Sequence, residues 1–467
     1  MALSAQWFQS WHPPSTLITE HQSFRSIDRL RYFDTGYKRN SLSGTSSKPI
    51  TFLPFVLSMG VIAQNVLEQS GPFKTHYLWK QVDFAYDTEF DRIKAATAGE
   101  FVQENNLPLG IEVFKNRIFV SFPKWKDGTP CTLAVIPRVS SETSPLFVPY
   151  PNWRWHNSGT CDGLVSVYRM QVDRCNRLWV LDSGQINVSV KPTQVCPPKI
   201  VIFDLNNDNP ILKYELPDEF IKQDSLYSNI AVDINFQEPN YCENAYAYIA
   251  DVWRFGIVVF SLREKRGWRI TDHLFYPDPL AAAFNLHGLK FEWTDGIFSL
   301  ALGPQIRNSD DRYLHFHPMA SYNEFYMRTS ALKNESAWPN TERTIRILGE
   351  SRGPRGQASS SAMDDNGIMF VNLVSRDSVA CWDSRKPYKR ANIGVLAESN
   401  TTLVFPNDLR LDKEPRQSVW VLSNKLPFFL NSNLDATDYN FRIMSAYVDE
   451  AIDGTICDPN VSSDKYD

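Results

Sequence analysis

The 467-residue chain is expected to be all-β, a six-bladed β-propeller behind an N-terminal extension, and three observations point there. Short runs rich in Val, Ile, Tyr and Trp alternate in polarity and are separated by Asp, Asn and Gly, the pattern of antiparallel strands. The unit in residues 164–205 (run, polar turn, run, long loop, run) returns as SNIAVDI, AYAYIAD and GIVVFSL over residues 228–262. Helical periodicity is almost absent after residue 105. A sheet unit recurring every fifty to seventy residues or so, longer than a compact propeller repeat of about forty, describes blades joined by large loops.

The blades number six. Inner strands are expected to begin near Leu109, Leu164, Ser228, Ile297, Ala358 and Asn407. Second strands follow at 117–123, 177–183, 245–251, 312–318, 368–374 and 419–424, and third strands at 132–137, 199–205, 256–262, 322–328, 378–382 and 441–447. Outer strands are expected at 212–217, 269–275, 344–350 and 392–398. The last blade has none downstream, so LWKQVDFAY (78–86) is expected to close the ring. The propeller then occupies residues 75–457, followed by a polar tail, 458–467.

Ahead of it, residues 1–48 are polar, irregular and expected to be disordered, and 49–65 carry an apolar core of signal-peptide length ending before Gln64. That core is too short and too interrupted by proline for a stable membrane span. Export is the expectation, with a secreted, extracellular protein as the product. Net charge is −5 with pI near 6.0 and no long basic run, which argues against nucleic acid as a partner.

Four Asn-x-Ser/Thr sequons, at Asn187, Asn334, Asn400 and Asn460, fall in or beside expected loops, as glycans require. Seven cysteines include no CxxC pair, which disfavours zinc. Cys175 and Cys242 fall in first-to-second-strand turns of neighbouring blades, on one rim. Cys161 and Cys196 fall on the other rim. Bridges 175–242 and 161–196 follow as expectations, with Cys381–Cys457 tying the fifth blade to the tail and Cys131 left as a buried thiol.

The strings YPNWRWH (150–156), GLVSVYRMQVDRCNRLWVLDSG (163–184), IADVWRFGIVVFSL (249–262), GIFSLALGP (296–304), VACWDSRKPY (379–388) and LVFPNDLRLD (403–412) resemble the Yellow / major royal jelly protein family of insects. The resemblance spans residues 75–457 and touches every blade. It implies a secreted six-bladed propeller acting in melanin formation and cuticle pigmentation. Within that family some members are associated with dopachrome conversion, others with biogenic amines, sterols or nutrition, so it specifies fold more sharply than activity.

In a propeller, the loops entering inner strands and those leaving second strands share one face at the mouth of the central channel. Those loops offer Asn229, Trp253, Phe405, Asn407, Asp408 and Asn372 as ligand-binding candidates and His287 and Asp251 as candidate bases. Aromatic walls with a few amides, carboxylates and an imidazole suit a small aromatic molecule: dopachrome, a catechol or a biogenic amine. Tautomerisation needs only a base for an acidified carbon-bound proton, His287 or Asp251, and donors for the developing oxyanion, Asn229 and Asn407. No cofactor and no metal enter this scheme. Asp251 also suits a strand-end cap and Trp253 a packing residue. The chain lacks GxSxG, HExxH, P-loop and strand-to-helix GxGxxG motifs, so hydrolase, zincin and nucleotide chemistries lose their usual warrant. Two further classes stay open: a non-enzymatic binding protein using the same pocket, and a calcium-dependent lactonase-type propeller, for which the loops lack the expected Glu. A structural or signalling role in cuticle is a third alternative, and oligomeric state is left open.

Overall fold

The structure, a computed structural model, describes residues 69–156, 159–238, 240–338 and 344–461. Six antiparallel sheets form the ring, each following the last in sequence. Their inner strands are Ile111–Phe114, Val167–Val172, Tyr227–Asp233, Ile297–Leu302, Ala358–Met363 and Pro406–Leu411, numbered here as blades 1 to 6. The expected second and third strands are all present.

The outer strands differ most from the sequence reading: that of blade 3 is Arg266–Thr271 rather than 269–275, that of blade 4 shortens to Arg346–Ile347, and those of blades 6 and 1 change more. Blade 6 is closed by Phe73–Trp79, pairing with Phe441–Tyr447, rather than by 78–86. Phe73, Thr75, Tyr77 and Trp79 are all buried, the period of a strand, whereas Phe84 only bridges to Phe147. Blade 1 gains a two-residue outer strand, Val148–Pro149, too short for a periodic signal. The expectations for residues 1–48 and 49–65 lie outside the described residues.

Alternation explains the core. Alternate residues of Arg177–Asp182 face opposite neighbours: Trp179 and Leu181 pack towards blade 3, Leu178 and Val180 towards blade 1. Each such side chain, fully buried, contributes on the order of 1.5–3 kcal/mol of transfer free energy. The turns between first and second strands form the lower rim, and their aspartates are structural. Asp173 accepts the backbone N–H groups of Cys175 and Arg177 and the indole N–H of Trp179 at 2.8 Å. Asp412 repeats the device with Ser418 and Trp420.

The disulfides are 161–196 and 175–242, as expected from the rim assignments, and 381–457, the expected tie from the fifth blade to the tail, and Cys131 is a buried free thiol. Among the described residues no helix is long and apolar enough to cross a membrane.

Candidate functional site

The upper rim carries an element that alternation over long windows conceals. Ala283–Leu286 and Leu289–Glu292 form a hairpin before blade 4, turning at His287 (φ 49°) and Gly288 (φ 89°). Two consecutive positive φ values match the right-handed twist of a two-residue hairpin turn, and glycine takes the second at no steric cost. The strands are pinned by stacked Phe284 and Phe291 rings, 5.1 Å apart, with Trp293 against Phe291 and edge-on to Phe405. Gln357 donates to the carbonyls of Ala281 and Ala283 and ties the hairpin base to blade 5.

His287 is thereby carried to blade 5. Its Nε2 lies 2.8 Å from Asp377 Oδ2. The other carboxylate oxygen of Asp377 accepts the backbone N–H of Phe405 at 3.3 Å. Burial raises the Asp377 pKa above the ordinary carboxylate value, and His287 opposes that shift. Nδ1 of His287, which has no protein partner among the described residues, belongs to a side chain one-third exposed along an open cleft of about 800 Å³. Phe284, Phe291, Tyr322, Arg355 and Gln357 line the same cleft. An imidazole oriented through one nitrogen by a carboxylate, with the other nitrogen free beside aromatic walls, is the geometry of a general base.

A second cluster lies where the loops converge. Trp253 donates its indole N–H to Asp295 at 3.0 Å, and burial raises the Asp295 carboxyl to about 6. Trp253, Trp293 and Phe298 are half-buried members of the apolar cluster that also holds buried Tyr168 and Phe405. Asp295 escaped the sequence reading because the hairpin was taken for the loop entering blade 4. The Asp-Gly pair directly before the strand was the available signal.

Below this mouth the channel is lined by charge. Arg169 donates to Asp408 at 2.9 Å and to the carbonyl of Asn407, and Ser360 and the Ile111 N–H complete the shell of Asp408. Arg410 reaches Asn229 at 3.3 Å and faces Glu112 at 3.4 Å. Asn229 and Asn407 spend their amide N–H groups on the carbonyls of Phe298 and Leu109. Asn229, Asn407 and Asp408 are therefore brought together as channel wall, while His287 and Phe405 meet through Asp377. Asn372 is fully buried, and neither of its amide atoms has a partner among the described residues. Asp251 sits apart from His287 and is fully buried, accepting from Ser225 at 2.6 Å and Leu226 at 3.0 Å and pairing with Arg269 at 2.9 Å. That is the bonding of a strand-end anchor.

Glu112 gives a measurable pH signature. Burial pushes its pKa from 4.5 to about 7, against the opposing charge of Arg410. A carboxyl whose folded pKa is raised stabilises the fold below its unfolded value, and that contribution is lost as pH rises through the folded one. Across that window wild type should therefore lose about 3 kcal/mol relative to Glu112→Gln. Unfolding free energies of both proteins at pH 5 and pH 8 test this, and a pH-independent difference would refute it.

The sequence profile described as "Major royal jelly protein" matches residues 165–457. The chain is 45% identical over 405 residues to a Drosophila melanogaster protein named dopaminechrome tautomerase, covering 85% of this chain and 86% of that one. It is 40% identical over 386 residues to protein yellow of Drosophila yakuba, covering 82% of this chain and 70% of that one. Among solved structures, virginiamycin B lyase from Staphylococcus aureus superposes with a TM-score of 0.38 at 11% identity, over 74% of this chain and 96% of that one. Family match and relatives together place the chain: it belongs to the Yellow / major royal jelly protein family.

Proposed function

We propose that the protein is an isomerase of pigment formation that converts an aminochrome, dopachrome or dopaminechrome, to the corresponding dihydroxyindole. The observation that carries the reading is the His287–Asp377 pair on an aromatic-walled cleft, in a chain 45% identical to a protein named dopaminechrome tautomerase. Nδ1 of His287 takes a proton from ring carbon. The freed electron pair moves through the conjugated ring to a quinone oxygen, which is protonated in turn. Two such carbon-to-oxygen transfers give the dihydroxyindole, with no oxidant or reductant consumed. Arg355, on the same cleft, is held by Nε and Nη2 on the Ser375 carbonyl and supplies positive charge to the developing oxyanion. Asn229 and Asn407, the donors expected from sequence, bond backbone carbonyls in the channel wall and do not line this cleft, whereas Arg355 does, which favours Arg355 for that role.

Secretion belongs to this reading, since the segment before Gln64 has signal-peptide character. Glycans at Asn334, Asn400 and Asn460 are in keeping with their exposure, and Asn187 is half-buried.

A second reading is favoured by Asp295: a carboxylate bonded to an indole N–H among aromatic faces suits a bound ammonium, so the protein would hold a biogenic amine without turning it over. Purified protein mixed with dopaminechrome and dopachrome, followed by loss of colour, and with dopamine in a calorimeter separates the two. Accelerated colour loss supports isomerisation. Heat of binding with colour loss no faster than in buffer supports the binding protein.

A further inference from the structure

The channel has a second mouth, on the lower rim, enclosing about 110 Å³ and lined from all six blades. A water needs roughly 10–15 Å³ by such a measure, so the space holds several waters or one small organic molecule. The charged groups around it divide into spent and unspent. Asp173 is spent on Arg177 and Trp179, Asp364 on the backbone N–H groups of Asn366 and Ile368, Asp365 on Arg174, and Arg312 on Asp233. Arg410 and Glu112 are loosely paired, Nε to Oε1 at 3.4 Å, with Asp408 at 3.7 Å from the same Nε and Asn229 accepting from the guanidinium at 3.3 Å, and of these charged groups Lys413 alone is unspent.

Arg410 is buried, and its Nε has no hydrogen-bond partner; the nearest acceptor, Glu112 Oε1, lies 3.4 Å away without forming a bond. A buried guanidinium N–H left unpaired is costly and is ordinarily satisfied by something. Lys413, at the exposed edge of the same mouth, makes no ion pair or hydrogen bond among the described residues. Glu112 and Asp408 between them face Arg169 and Arg410, so with Lys413 the group carries one more cation than carboxylates. The residues lining this space and those lining the cleft at His287 do not overlap, and Arg169, Asp408 and Ser360 are bonded to one another across blades 2, 6 and 5.

We propose that the lower mouth of the channel binds a small oxyanion, a carboxylate or a phosphate, between Arg410 and Lys413. Arg410 supplies a fixed, desolvated donor and Lys413 an ammonium at the rim, the pairing that charge-assisted hydrogen bonds favour. The site is independent of the isomerase reading.

Calorimetric titration of the full secreted protein with succinate, and separately with inorganic phosphate, at constant ionic strength tests it, alongside Lys413→Glu. Saturable binding of either anion by wild type, weakened at least about tenfold in Lys413→Glu, is expected, tenfold corresponding to about 1.4 kcal/mol. Succinate alone would identify a carboxylate site, and phosphate alone a phosphate site. No saturable binding of either, or equal binding by Lys413→Glu, overturns the proposal. Colour loss of dopaminechrome, measured in parallel, should be unchanged in Lys413→Glu, so failure of one reading is distinguishable from failure of the other.

Discussion

His287→Ala should lower the rate of aminochrome conversion by about 100-fold or more, the lower end of what a positioned general base contributes. The side chain sits at the tip of a hairpin and is one-third exposed, so the loss should come with little change in thermal midpoint. Two controls separate loss of a base from loosening of the hairpin. Added imidazole should restore part of the activity of His287→Ala, because a diffusible base can occupy the vacated volume on the open cleft. Asp377→Asn should cost less, about tenfold, and should act on kcat rather than KM, since Asp377 orients the ring without touching substrate. Full activity in His287→Ala would remove the imidazole from the reaction and leave Asp295 as the carboxyl to test next.

Asp408→Ala should be among the most destabilising single changes in the chain, on the order of 3–5 kcal/mol. Asp408 and Arg169 are 0% and 1% exposed, and the carboxylate collects a guanidinium, a hydroxyl and a backbone N–H from three other blades. Burial lowers the Arg169 pKa to about 10, so the guanidinium stays charged at neutral pH and would be stranded without its partner. Replacing both residues with apolar ones of similar size should recover much of the loss, because no charge is then left unpaired. Denaturant unfolding of the two variants measures this. A loss below about 1 kcal/mol for Asp408→Ala would mean that water reaches the waist of the channel and solvates Arg169.

Strand placement, blade number and disulfide partners were legible because each depends on local information. Alternation with period two marks a strand within six residues, and six copies of one meander leave few ways to arrange themselves. Cys175 and Cys242 could be matched because a strand-to-strand turn reveals its rim wherever the blade stands. The closing strand was read about five residues too late, since Val82, Phe84 and Tyr86 alternate with Gln81, Asp83 and Ala85 as the residues of a strand would. His287 was legible as an imidazole on a functional loop, but its partner was not.

That division has one physical source. Which face a side chain takes is written in its neighbours one and two positions away, so the sequence by itself determined the blades, their order around the ring and the rim on which each turn lies. What a charged side chain meets was decided only by closing the ring. Closure sets His287 against Asp377, 90 residues later in sequence, and Arg169 against Asp408, 239 residues later. No periodicity spans such separations; the burial of each pair and the field it feels come from side chains of several blades at once, and these exist together only in the folded channel.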